Sequence, residues 1–172
     1  LGRHPDVLGR LVAEVDHVLG DRPLRVEDLP HLPYSLQVFK ESLRLYPPAA
    51  AMVRVARRDC AVGPYRVRAG TILFVSPYTL HRNETVFPHA ERFDPDRFLP
   101  EREKALPRLA FLPFGAGGYG CVGNHLALLE GHALTATLAQ RVQWTLGPVD
   151  AVPRLLINLR PAQPLVATVH HR

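Results

Sequence analysis

Two consecutive prolines, Pro47 and Pro48, fix the plan of the chain, because each lacks a backbone N–H and disfavours helix in the residue before it. Upstream of them the apolar period is helical. Leu8, Leu11, Val12, Val15, Val18 and Leu19 recur at helical spacing and Gly20 follows as a stop, which predicts an amphipathic helix over 5–19. A proline-bearing loop, Asp21 to Pro33, leads to a second helix over 35–45 that the two prolines end. Downstream the apolar period falls to about two residues. Val53 to Ala56, Tyr65 to Val67 and Thr71 to Val75, punctuated by Gly63-Pro64 and Ala69-Gly70, predict one small antiparallel sheet, followed by a short helix over 77–82.

Residues 87–113 carry no sustained period, yet Phe87, Phe93 and Phe98 are too apolar for a free linker, so the segment reads as an ordered meander. From Cys121 to Val142 the series Val122, Leu126, Leu129, Leu134 and Leu138 predicts a long helix, and short strands are expected over 142–146, 155–159 and 165–169. The organisation is thus 1–48 two helices, 49–83 small sheet and short helix, 84–113 meander, 114–142 glycine loop and long helix, 143–172 terminal strands. The fold class is mixed α+β, mainly α.

At 172 residues the chain is one domain or part of a larger one, and 47% apolar with 22% charged residues excludes disorder and disulfide-stapled scaffolds. It begins at Leu1 without Met and enters a periodic segment almost at once, so further chain is expected upstream. No run approaches the roughly 18 apolar residues of a membrane span. Two cysteines, Cys60 and Cys121, form no thiolate cage or disulfide framework, which points to a reduced compartment and a cytoplasmic location. The net charge of +5 comes from arginines scattered among acids, which disfavours a nucleic-acid groove and leaves a diffuse basic face for an acidic protein, or a merely solvated surface.

The chemistry concentrates in Phe114-Gly-Ala-Gly-Gly-Tyr-Gly-Cys121-Val-Gly123. A cysteine in the first turn of a helix has its thiolate stabilised by the helix dipole, and a glycine loop admits a large flat ligand close to the backbone. Sulfur there can serve as a metal ligand. Three other readings stand beside it: a free cysteine capping a helix, a Cys121 and His125 metal pair at i, i+4, and a dinucleotide fingerprint Gly115-x-Gly117-x-x-Gly120 with Asp150 as ribose partner.

The order of motifs resembles the C-terminal, haem-binding part of the cytochrome P-450 superfamily, the haem-thiolate monooxygenases. Phe114, Gly117, Cys121, Gly123, Ala127 and Glu130 fall in register on the family's F-x-x-G-x-R-x-C-x-G-x-x-x-A-x-x-E loop. Glu41 and Arg44 match its E-x-x-R helix, Pro95, Arg97 and Phe98 its meander, and Gly63-Pro-Tyr65 with Gly70-Thr71 its sheet. The resemblance implies that Cys121 is the axial thiolate of a haem iron, the sole metal ligand assigned, and that Phe114, Gly115, Gly117, Tyr119, Gly123, Ala127 and Arg54 lie against the haem, Arg54 at a propionate. It further implies that Glu41, Arg44 and Arg97 form a buried ion network.

One departure is Tyr119, which stands where the family usually has an arginine, or sometimes a histidine, to hold a propionate. The implied activity inserts one oxygen atom of O2 into a lipophilic organic substrate, with electrons from a ferredoxin or a flavoprotein reductase docking on the proximal basic face, and Ala49 to Val53 as candidate pocket lining. The family's oxygen-activating helix has no counterpart here, so no catalytic residue is assigned. The alternative from another class is a non-catalytic haem-binding fragment or assembly partner, and after it a dinucleotide-binding module.

Overall fold

The computed structural model describes residues 1–147, 151–156 and 158–172. Helix α1 spans Pro5–Leu19, with proline at its start, Asp6 in the first turn, His17 in the last and Gly20 beyond it at φ 54°. Val7, Leu11, Val15 and Leu19 form its buried stripe. Helix α2, Pro33–Leu45, starts without a side-chain cap of its own. Glu14 of α1 supplies one, accepting the N–H groups of Tyr34 at 2.7 Å and Ser35 at 2.9 Å. One carboxylate thus satisfies two unpaired helix-terminal donors and fastens α1 to α2. The loop between them is not irregular throughout, because Val26–His31 closes into a 3-10 turn whose Asp28 carboxylate takes Arg22 and the Arg25 N–H.

The helix α5 spans Asn124–Arg141 and packs against both α1 and α2, so that the core joins Val7, Leu11, Val15, Leu19, Leu32, Val38, Ala136 and Ala139. The face of α5 that does this differs from the expected one. Its buried residues are Gly131, His132, Ala136 and Ala139, whereas Leu126, Leu129, Leu134 and Leu138 are exposed. Small side chains let three helix backbones approach closely, and the leucines are left on the uncovered side. At Gly131 an added Cβ would lie 2.0 Å from the ring of Phe39.

Gly131→Ala gains about 1 kcal/mol of helix propensity but must displace that ring at about 1–3 kcal/mol, so a net loss of stability is expected. Thermal denaturation checks it, and a midpoint equal to or above the parent's would mean the helices part freely.

After the two prolines the single sheet expected resolves into two separate antiparallel ribbons. Strands β1 (Met52–Val55) and β4 (Ile72–Val75) form one, pairing Val53 with Phe74 and Val55 with Ile72. Strands β2 (Cys60–Val62) and β3 (Tyr65–Val67) form the other, so Cys60 sits in a strand. Gly63 at φ 56° makes the turn between them, a conformation an L side chain resists. Helix α3, Pro77–Leu80, follows, capped by the Ser76 hydroxyl.

The meander is ordered and contains two elements its sequence did not announce: a 3-10 turn at Pro95–Phe98 and helix α4, Pro100–Ala105. Phe87, Ala90 and Phe98 are its buried anchors. At the end of the chain β5 (Val142–Leu146) pairs with β8 (Ala167–His171), two residues later than expected. In place of one strand over 155–159, Leu155 ends β6 (Pro153–Leu155) and its antiparallel partner Leu159 begins β7 (Leu159–Pro161), and Ile157 lies outside the described residues.

Candidate haem-thiolate loop and its support

The loop leaves the buried Leu112 and Pro113 and returns on itself, its neck closed by the Cys121 N–H donating to the Phe114 carbonyl at 2.8 Å. Gly115 and Gly117 take φ 70° and 69°, which a side chain would oppose. Gly115 has a second reason to be glycine, since a Cβ there would stand 3.2 Å from Met52 Sδ of β1. The loop therefore lies against β1. The contact continues at Arg54, whose guanidinium sits 4.7 Å from the Tyr119 ring centroid.

Cys121 is exposed and unpaired, but it is not in the first turn of the helix: α5 begins at Asn124 with Gly123 as its N-cap. The dipole argument for Cys121 therefore weakens, because the effect falls off beyond the terminal turn. Ala127 and Glu130 of the motif lie inside α5, the Ala127 N–H donating to the Gly123 carbonyl at 2.9 Å, and a Cβ at Gly123 would stand 3.9 Å from Cys121 Sγ. Tyr119 and Val122 on the loop and Leu126 on α5 are exposed; on β1 Met52 and Arg54 meet the loop, while Val53 and Val55, paired with Phe74 and Ile72, alternate to the other face and are exposed there.

The structure brings Glu41, Arg44 and Arg97 together. Glu41 and Arg44 side chains are both 0% exposed, with Arg44 Nε donating to Glu41 Oε2 at 2.6 Å and Nη2 to Oε1 at 2.8 Å. Glu41 Oε1 also accepts the Asp94 N–H at 2.8 Å. Arg97 stands at the margin, Nε 3.5 Å from Glu41 Oε1 while Nη2 donates to the His89 carbonyl at 2.8 Å. Burial raises the Glu41 carboxyl, against the pull of Arg44, the Asp94 N–H and Arg97. Arg44 reaches further, donating from Nη1 to the His81 carbonyl at 2.7 Å and from Nη2 to the Arg92 carbonyl at 3.2 Å.

Sequence reasoning missed His81 and His132, both buried. His132 bonds the Leu32 carbonyl at 2.8 Å, joining α5 to the start of α2. Neither has a spacing signal, since a single histidine carries no periodic pattern of its own and His81 is followed by the polar Arg82-Asn83-Glu84. The weaker alternatives lose their footing here. Residues 111–116 form no strand leading into the glycines, and every strand pair among the described residues is antiparallel, which a doubly wound dinucleotide fold forbids; Asp150 lies outside the described residues. Cys121 and His125 do not share a helix, and the described residues hold no cluster of three or more metal-ligating side chains. No helix among them is long and apolar enough to cross a membrane.

A sequence profile of the family described as Cytochrome P-450 matches residues 1–168. Among curated proteins the chain is 47% identical over 149 residues to cyclooctat-9-en-7-ol 5-monooxygenase of Streptomyces melanosporofaciens, covering 87% of this chain and 32% of that one. It is 37% identical to pentalenene oxygenase of Streptomyces avermitilis, covering 99% and 36% respectively. Among solved structures, a retinoic acid-bound cyanobacterial CYP protein superposes with a TM-score of 0.93 at 30% identity, covering all of this chain and 40% of that chain. The chain spans about a third of the length of the curated relatives it matches.

Proposed function

Since the chain belongs to the cytochrome P-450 family, we propose that it is the haem-binding portion of a monooxygenase acting on a lipophilic organic substrate, with Cys121 as the axial ligand. The observation that carries this is the exposed Cys121 thiol, held on a loop that is closed by its own N–H and pressed against β1. Family membership implies haem, and the residues present fit one. A single thiol on a loop with exposed Tyr119 and Val122, followed by exposed Leu126 on α5, offers one soft donor beside apolar side chains suited to a large flat macrocycle. When bound, the haem supplies the redox chemistry by which one atom of O2 enters a substrate and the other leaves as water.

The chain's own work is placement. Gly115 allows the loop to lie close against β1, Gly117 allows its turn, and the 2.8 Å closure onto Phe114 fixes the Cys121 backbone from which Sγ projects. Arg54 supplies the cation for a propionate. Ala49, Ala51 and Val53 alternate outward from the buried Ala50 and offer small apolar lining for substrate. The relatives' names as monooxygenase and oxygenase support the same reaction class. A ferredoxin or flavoprotein reductase meeting arginines on the proximal face, and a cytoplasmic location consistent with two unpaired exposed cysteines, belong to this proposal.

The test is spectroscopic and catalytic: the protein at its natural length should bind haem, show the strongly red-shifted ferrous–CO Soret band of thiolate ligation, and oxygenate apolar substrates with a reductase present. Haem binding without turnover would favour a haem-binding assembly role, and no haem binding would sink the proposal.

Arg54 and Tyr119 give a finer prediction. Tyr119 is a neutral donor where a second arginine would offer a charged one, so Arg54 carries the propionate charge alone. Arg54→Ala is expected to speed haem transfer to apomyoglobin by about tenfold, on the basis of roughly 1.5 kcal/mol for a charged hydrogen bond. Transfer at the parent's rate would place the propionate elsewhere.

A further inference from the structure

We propose that His81 is a positioning residue for the Cys121 loop, its imidazole joining the backbone at the end of α2 to the backbone of Leu112 where the stem of that loop begins. The His81 side chain is fully buried between these two segments. Nε2 lies 2.8 Å from the Leu112 N–H and Nδ1 lies 3.0 Å from the Arg44 carbonyl. The chemistry of the partners fixes the tautomer. A backbone N–H can only donate, so Nε2 accepts and carries no proton; a carbonyl can only accept, so Nδ1 carries it. Phe111 and Phe87 hold the ring, with centroids 5.3 Å and 6.5 Å away. The His81 carbonyl takes Arg44 Nη1 at 2.7 Å, so Arg44 and His81 hold each other through both backbone and side chain.

From Leu112 the connection runs on through the backbone. The Leu112 carbonyl accepts the Gly115 N–H at 3.3 Å, and the Phe114 carbonyl accepts the Cys121 N–H at 2.8 Å. A shift at Leu112 therefore moves the neck that carries the thiol. Burial, aided by the charges of Arg44 and Arg82, pushes the His81 imidazole down to about 4, in keeping with an uncharged ring that accepts at Nε2.

Two substitutions separate the halves of the link. In His81→Asn the amide nitrogen stands near the place of Nδ1 and keeps the bond to Arg44 while leaving the Leu112 N–H without an acceptor. In His81→Gln the amide oxygen reaches the place of Nε2 and restores that acceptor. Leu112 amide exchange, measured in haem-free protein, should accelerate at least about fivefold in the asparagine variant, as expected for losing one buried hydrogen bond, and return toward the parent's rate in the glutamine variant. The fraction of ferrous–CO protein with the thiolate band should follow the same order.

Because the argument rests on the proposed haem-thiolate function, the exchange measurement and the ring tautomer, read from nitrogen chemical shifts of the parent at neutral pH, keep it independent of haem. A parent without the red-shifted band overturns the function proposed above. Equal Leu112 exchange in the two variants, or a parent ring protonated at Nε2, overturns the role of His81.

Discussion

Arg44→Ala is expected to leave no cooperatively folded protein. The Arg44 and Glu41 side chains are both fully buried, and the guanidinium also holds the His81 and Arg92 carbonyls, so one substitution leaves a carboxylate without its main counter-ion and two carbonyls short of a donor. Breaking a buried pair costs about 3–5 kcal/mol and each orphaned carbonyl about 1–3, against a total stability of about 5–15 for a domain. Glu41→Ala should do similar damage by stranding Arg44, the Asp94 N–H and the neighbouring Arg97.

The same logic separates this pair from the exposed bridge of Arg10 with Asp96, whose loss should cost below about 1 kcal/mol. Circular dichroism through a thermal ramp is the measurement. Replacing both members by apolar residues of similar volume, Glu41→Leu with Arg44→Met, should recover only part of the transition, since neither member of the pair is then left charged without the other while the His81 and Arg92 carbonyls, the Asp94 N–H and Arg97 still lack their partners. A parent-like midpoint for Arg44→Ala by itself would show that water reaches the pair.

What the sequence disclosed, it disclosed through local physics. The helix over 5–19 ends where expected because proline, a four-residue apolar stripe and Gly20 all act within a few residues. The ribbons after Pro48 follow from alternation and Gly-containing turns, although alternation says nothing of which strands pair, and one sheet became two. The α5 leucines misled because large apolar residues usually mark the buried face. Here the close approach of α1 and α2 requires Gly131, Ala136 and Ala139 instead, and pairing of helices is a tertiary fact.

Cys121 could be singled out from its glycine context, yet its place ahead of Gly123 and not inside the helix depends on the closure to Phe114, a contact seven residues apart that no periodicity encodes. The link from His81 to Leu112 spans 31 residues and rests on one ring between two backbones. Such a histidine leaves no pattern in a single sequence.

Cys121→Ser should abolish the red-shifted ferrous–CO band and the turnover that depends on it while leaving the fold in place. The side chain is exposed, and the bond that closes the loop is made by the backbone N–H, which serine keeps. Surface changes of this size move stability by about 0.5 kcal/mol or less, so the thermal midpoint should match the parent's within a few degrees. The hydroxyl, in contrast, is a hard, weakly acidic donor that does not replace a soft thiolate on iron.

Cys60 provides the internal comparison. It is the other exposed free thiol, but it stands on β2 paired with Val67, outside the Phe114–Cys121 loop. Cys60→Ser should keep both band and activity. The pair of variants therefore distinguishes loss of a ligand from loss of a thiol in general. If the band survives Cys121→Ser and disappears with Cys60→Ser, the ligand has been assigned to the wrong ribbon of the protein, and the loop built on Gly115 and Gly117 must hold something other than haem.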